Sequence, residues 1–318
     1  MHRFIIAQLT GDNGIYTNYQ DTEQQELVAT GHEILSESMG LAMRYYTRTG
    51  QESQFEQAWK LTERQFNMES GFSYRFSPKH NKLYTVNAAV DDLRIIRALY
   101  EAADRFEQNN YREQAERLGK RFLNYNSKED RLFDFYDDYY KMTNSFITLC
   151  YIDLRTLQLI ADETALIENM LQLVQNGYLS DEFPFYETRY LYEEAAYQSE
   201  DINTVESLLT ILSLVEVGKQ QARSIDYIKT QVEQGTLYGR YSRDGKPLTD
   251  IQSTAIYAIT AIIGSELRDE KLYRDSIERM EQFQVLEQDS ELYGAYGDIA
   301  SRQAYSFDNL HALLAYSY

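Results

Sequence analysis

Glu37 is the side chain whose setting points first to acid chemistry. It stands in His32-Glu33-Ile34-Leu35-Ser36-Glu37-Ser38-Met39-Gly40-Leu41-Ala42-Met43, where Ile34, Leu35, Ser38, Leu41, Ala42 and Tyr45 recur at helical spacing. The spacing predicts one helix over about residues 28–48, with Glu37 in the middle of its apolar run. A carboxylate there has to be paired, protonated or set in a cleft, because burying a bare charge is costly. Burial raises a carboxyl pKa, and a raised pKa suits a general acid. A surface glutamate on a partly exposed helix is the competing reading.

Further carboxylates gather in comparable places. Asn87-Ala88-Ala89-Val90-Asp91-Asp92-Leu93-Arg94-Ile95 opens another apolar helix, with Asp91 and Asp92 in its first turns. The helix dipole alone favours acidic residues there. Later loops mix acids with aromatics: Tyr136-Asp137, Tyr197-Gln198-Ser199-Glu200-Asp201, Tyr238-Gly239-Arg240 and Tyr305-Ser306-Phe307-Asp308. Two carboxyl groups facing one bond can hydrolyse a glycosidic linkage: one protonates the leaving oxygen, the other activates water or attacks the sugar. Spacing along the chain does not say which two face each other. Tyrosine, at 28 residues, offers flat rings with polar tips, which suit sugar rings and half-buried helix faces alike.

The elements that must position these residues are helices. Amphipathic or apolar segments are predicted near 55–66, 87–99, 111–124, 142–158, 163–176, 201–215, 220–234, 253–266, 269–283 and after 306, with no convincing strand. Ser199 is the expected N-cap of the helix after it, with Glu200 and Asp201 just inside. The apolar helices begin near residues 30, 87, 142, 201, 252 and 306. One helix pair per interval gives six pairs, which can close into an all-α double ring, an (α/α)6 barrel with six inner and six outer helices. The chain is expected to form a single domain over residues 1–318. An open solenoid of helix pairs is the competing architecture, disfavoured because the units share little sequence.

Bulk properties narrow the partners. The net charge of -19 argues against nucleic acid and anionic membrane and fits a neutral substrate. Cys150 is the lone cysteine, so no intramolecular disulfide or thiolate metal site can form. His2, His32, His80 and His311 lack metal-ligand spacing, so neither metal nor cofactor is expected. No stretch is long and apolar enough to span a membrane. Met1-His2-Arg3-Phe4 shows no secretory signal, which leaves a cytoplasmic chain or one whose export segment lies outside this sequence.

Two of these stretches carry a family resemblance. Leu35-Ser36-Glu37-Ser38-Met39-Gly40-Leu41-Ala42-Met43 resembles the general-acid motif of glycoside hydrolase family 8, and Asn87-Ala88-Ala89-Val90-Asp91-Asp92-Leu93-Arg94-Ile95 resembles its second motif, with the two aspartates adjacent instead of separated by one residue. The resemblance implies an (α/α)6 barrel and inverting endo-hydrolysis of a β-linked polysaccharide without a metal. Its divergent members from Gram-positive bacteria act on biofilm exopolysaccharides, which implies an extracellular or cell-surface location. It gives Glu37 the role of acid and Asp91 or Asp92 that of holding the sugar ring. The family's base lies in a tyrosine-aspartate-alanine context that this chain departs from. The corresponding region, Tyr197 to Asn203, makes Asp201 the first candidate, Glu200 the second, and Asp137 a third. Tyr136, Asp137, Tyr197, Glu200, Tyr238, Arg240 and Tyr305 are the expected substrate contacts. A polysaccharide is the expected partner of a monomeric chain. The alternatives are a glycan-binding protein that has lost the base, a polysaccharide lyase, disfavoured by the acidic loops, and a helical interaction scaffold.

Overall fold

A computed structural model describes residues 1–23, 25, 28–162 and 164–318. Among these, twelve α-helices follow one another: α1 (His2–Phe4), α2 (Ser36–Arg48), α3 (Glu52–Phe66), α4 (Ala89–Phe106), α5 (Asn109–Asn126), α6 (Leu154–Ile160), α7 (Thr164–Asn176), α8 (Thr204–Glu216), α9 (Ala222–Gln234), α10 (Thr254–Glu266), α11 (Glu270–Glu281) and α12 (Ser306–Ala315). The alternation expected of paired helices is present. Helices α4 and α10 are buried along most of their length, whereas α3, α9 and α11 bury one stripe each, such as Phe55, Ala58, Trp59, Thr62 and Phe66. Among the described residues no helix is long and apolar enough to cross a membrane.

Two compact units make up the chain. The first comprises Met1–Phe122, Phe135–Met142 and Gln282–Tyr318; the second comprises Leu123–Asp134 and Thr143–Glu281. In the first, α2 packs on α3, α4 and α12. Ser36 at the start of α2 donates to Asp91 in the first turns of α4 at 3.1 Å, and Ser38 lies 3.0 Å from Ser306 at the start of α12. Those helices therefore begin at one end of the unit, together with the loops that lead into them. In the second unit α10 packs on α8 and α11. The N-cap Asn203 of α8 accepts from Val205 N at 2.9 Å, and the N-cap Ser253 of α10 accepts from Ile256 N at 3.4 Å.

Short strands depart from the strand-free reading. Ile34–Leu35 pairs with Arg75–Ser77, which pairs with Lys82–Leu83. Phe146–Thr148, Arg189–Leu191 and Ala196–Gln198 form another three-stranded sheet, and Ile202–Asn203 pairs with Arg240–Tyr241. Each is two or three residues long, too short for alternation to show in sequence. They shift several boundaries. Helix α2 starts at Ser36, so Glu37 lies in its first turn instead of mid-helix. The expected helix over 142–158 is two short strands (Met142–Thr143 and Phe146–Thr148), a 3-10 turn (Leu149–Tyr151) and the short α6. Ser199 does not cap a helix. Its hydroxyl donates to Glu187 Oε2 at 2.6 Å, and Glu200 and Asp201 precede α8.

Candidate active site

The loop before α2 is fixed by a buried ion pair. Arg75 Nε donates to Glu33 Oε1 at 2.8 Å and Arg75 Nη2 to Glu33 Oε2 at 2.7 Å, a two-pronged contact fully shielded from solvent. This locks the loop to the neighbouring strand and sets where α2 begins. Glu37 then projects from the first turn as a half-buried side chain. Its pKa is pushed up to about 7, first by burial, then by the charge of Asp91, with Arg94 opposing. The helix N-terminus would favour ionised Glu37, so removal from water outweighs it.

Asp91 and Asp92 are adjacent in sequence and serve different neighbours. Asp91 accepts from Ser36 Oγ at 3.1 Å and from Arg94 Nη1 at 2.8 Å, beside Glu37. Burial raises its pKa against the pull of Arg94 and the hydrogen bonds from Ser36 and Arg94. Asp92 turns to the loop before α4. It accepts from Phe72 N at 2.8 Å and Asn87 Nδ2 at 2.6 Å, and burial pushes its pKa up to about 7. A Cβ on Gly71 would stand 2.1 Å from Asp92 Oδ2, so the close approach requires glycine there. Both Asp92 oxygens are engaged inside the fold.

Other predicted residues of the first unit line the same loops. The Tyr136 backbone N–H donates to Asn87 Oδ1 at 2.6 Å, tying its loop to the start of α4. Asp137 accepts from Thr85 Oγ1 at 3.0 Å and from Tyr139 N at 2.8 Å, which is the work of a turn-closing aspartate. Tyr305 is the N-cap residue of α12 and is exposed. His311 on α12 is buried, and burial depresses its pKa to about 3, which keeps it neutral.

In the second unit Asp201 accepts from Arg240 Nη1 at 2.8 Å and keeps part of its side chain in solvent. The strand pairing that sets Asn203 against Arg240 brings these loops together. Glu206 lies close by. Burial raises its pKa, Arg189 and Arg240 oppose, and Asp201 adds to the rise. Asp134, which accepts from Thr148 N and Thr148 Oγ1 at 2.6 Å each, is pushed up to about 6 by burial. Glu200 is exposed. Tyr238 is half-buried, its N–H donating to the Tyr241 hydroxyl at 2.9 Å. Tyr197 donates its hydroxyl to Leu173 O at 2.6 Å, so it faces α7. Sequence reasoning missed Arg94, Asp134, Arg189 and Glu206. Only Arg94 carried a local signal, since it lies one helical turn beyond Asp91 on the same face.

No protein-family model matches the chain. A solved structure from Clostridium perfringens, named a novel alpha-amylase, shares 30% identity, is covered over 96% of its length by 99% of this chain, and superposes with a TM-score of 0.92. PssZ from Listeria monocytogenes matches with 21% identity and a TM-score of 0.79, over 99% of this chain and 93% of PssZ. Endoglucanase Cel10 of Klebsiella pneumoniae, a family 8 glycosyl hydrolase, matches with 14% identity and a TM-score of 0.68, over 99% and 97% of the two chains. YdaJ of Bacillus subtilis (strain 168), which carries a lipoprotein name, is 26% identical over 98% of this chain and 84% of its own. PssZ and Cel10 share the fold, which is the (α/α)6 barrel.

Proposed function

We propose that the chain, a glycosidase with the fold of the family 8 glycosyl hydrolases, cleaves a β-linked polysaccharide internally with inversion, Glu37 serving as acid and Asp201 as base. The observation that carries this reading is the half-buried Glu37 carboxyl, held up to about 7 by burial and by Asp91. Such a group keeps its proton near neutral pH and can deliver it to a departing sugar oxygen. In the proposed reaction the glycosidic C–O bond breaks as Glu37 protonates the leaving oxygen. Water forms the new C–O bond from the opposite face and yields its proton to Asp201.

The surroundings of Asp201 support its role on their own terms. A base has to be ionised and open to water. Asp201 is ion-paired with Arg240 and partly exposed, whereas Glu206 is pushed toward the protonated form by burial. Asp137 is committed to its turn. Asp91 is proposed to tune Glu37, and Tyr136, Tyr238, Arg240 and Tyr305 to contact the glycan. The lipoprotein name of YdaJ supports work at a cell surface.

A second reading has its own observation. The Clostridium perfringens relative is named an alpha-amylase, which favours an α-linked glucan. Reducing-sugar release from soluble starch, β-1,4-glucan, xylan and chitosan separates the two. Glu37→Gln is expected to lower release by about 10²-fold or more on whichever glycan is cut. Undiminished activity in that variant overturns the acid. A first-formed product with the substrate's own anomeric configuration overturns inversion.

A further inference from the structure

Within the second unit, a cavity of about 430 Å³ opens between α7 and the hairpin of Arg189–Leu191 and Ala196–Gln198. Its volume falls in the range of small-molecule sites, roughly 300–1,000 Å³. We propose that it is a second, non-catalytic binding site for a neutral oligosaccharide segment, formed by a tyrosine platform on the hairpin and a row of amides on α7.

The strand register builds the platform. Tyr190 pairs with Tyr197 across the hairpin, so both side chains leave the same face. Their ring centroids stand 4.9 Å apart at 63°, and Tyr192 adds a third ring 5.7 Å from Tyr190 at 74°, so the three meet edge to face and wall the cavity with differently turned ring faces. The hydroxyls of Tyr192 and Tyr197 are committed to Leu132 O and Leu173 O, each at 2.6 Å, which fixes those rings in place. Opposite them, Asn169, Gln172 and Asn176 are exposed on α7 at i, i+3 and i+7, hence on one helical face. Amides both donate and accept, which matches the edge of a sugar ring, while aromatic faces match its apolar C–H side. The Arg131 guanidinium lies 5.4 Å from the Tyr192 ring centroid, and Asp130 lines the same cavity with the opposite charge. With the chain at -19 overall, an anionic ligand is disfavoured.

The same register puts Tyr190 and Tyr197 on the sheet face opposite the one that Thr148 and Arg189 share. Thr148 pairs with Arg189 and Phe146 with Leu191, so these four share one face of the sheet. Asp134 is bonded to Thr148 on that face, and Arg189 lies over the Phe146 ring at 5.0 Å. Tyr190 and Tyr197 leave the opposite face. Tyr197, expected among the catalytic subsites, is therefore assigned to this second site.

The choice of ligand rests on the chain acting on polysaccharide, and the test keeps that premise apart from the site. Migration of Glu37→Gln protein is measured in native gels cast with soluble starch, hydroxyethylcellulose or xylan, alone and with Gln172→Ala/Asn176→Ala or Tyr190→Ala added. Retardation is expected in at least one gel and is expected to weaken threefold or more in both added variants. Hydrolysis of a short soluble oligosaccharide by otherwise wild-type Gln172→Ala/Asn176→Ala enzyme is expected to stay within twofold. Both amides are exposed, so that variant keeps the test valid where Tyr190→Ala disturbs folding. Equal retardation with and without the amides overturns the site, as does the absence of retardation in all three gels or an equal fall in binding and hydrolysis. Retardation that depends on the amides in a protein hydrolysing no glycan supports the site and overturns the catalytic reading.

Discussion

Glu37→Gln should stabilise the protein above neutral pH while inactivating it, and the size of the effect follows from the carboxyl's surroundings. In the folded chain its pKa is about 7 against an ordinary value of 4.5. A folded-state pKa above the unfolded one means that folding takes up a proton between the two. Below about pH 4.5 both states are protonated and Glu37 costs nothing. Above about pH 7 both are ionised, and the folded state bears the full cost of a carboxylate held away from water beside Asp91. At 1.36 kcal/mol per pKa unit the gap corresponds to about 3 kcal/mol. Glutamine keeps the shape without the charge. The stability of the variant relative to wild type should therefore rise by roughly 2–3 kcal/mol from pH 4 to pH 8. In a unit of this size that is a gain of roughly 4–10 °C in melting midpoint. Paired thermal melts of the two proteins across that range measure it. A difference independent of pH, or one that grows toward acid, would refute the account of Glu37 as a destabilised acid.

Asp91→Asn removes the negative charge that holds the Glu37 proton and leaves Arg94 to pull the other way. The alkaline limb of the kcat/KM profile should move to lower pH by roughly one unit, and a profile that stays in place or moves up rejects the pairing. Asp92→Asn faces a different penalty. Its new amide would meet Asn87 Nδ2 donor to donor, so urea unfolding should show a loss of about 1–3 kcal/mol, whereas the limb set by Glu37 should hold its position. A limb that shifts as far in Asp92→Asn as in Asp91→Asn would show that the structure has divided the two aspartates wrongly.

What could be read in the sequence depended on how local its cause was. The amphipathic α3 and the buried α10 were legible because their periodicity persists over several turns. The strands at 34–35, 75–77 and 202–203 were not, since each is held by a partner tens of residues away and is too short to alternate. Ser199 illustrates the error that results. A serine followed by two acids has the form of a helix start, but Glu187 supplies a nearer partner through the hairpin, and Asn203 takes the cap.

Glu37 shows where a sound inference had an incomplete cause. An apolar helix around a glutamate argued for a raised pKa. The helix in fact begins only at Ser36, the residue before Glu37, so Glu37 occupies the end whose dipole favours the charged form. The pKa is nonetheless raised, because burial comes first and Asp91, more than fifty residues along the chain, adds its charge through the packing of α4 on α2. Nothing local to residues 32–43 encodes that neighbour. What sets the acidity is the contact between two helix starts, fixed by the bond from Ser36 to Asp91 and tempered by Arg94 one turn further on. Ser36→Ala would leave Glu37 itself untouched while removing a donor that favours ionised Asp91. It should therefore weaken the repulsion that lifts Glu37 and move the alkaline limb down by less than Asp91→Asn does. A shift in Ser36→Ala as large as in Asp91→Asn, or in the opposite direction, would mean that the serine acts on Glu37 by a route other than Asp91.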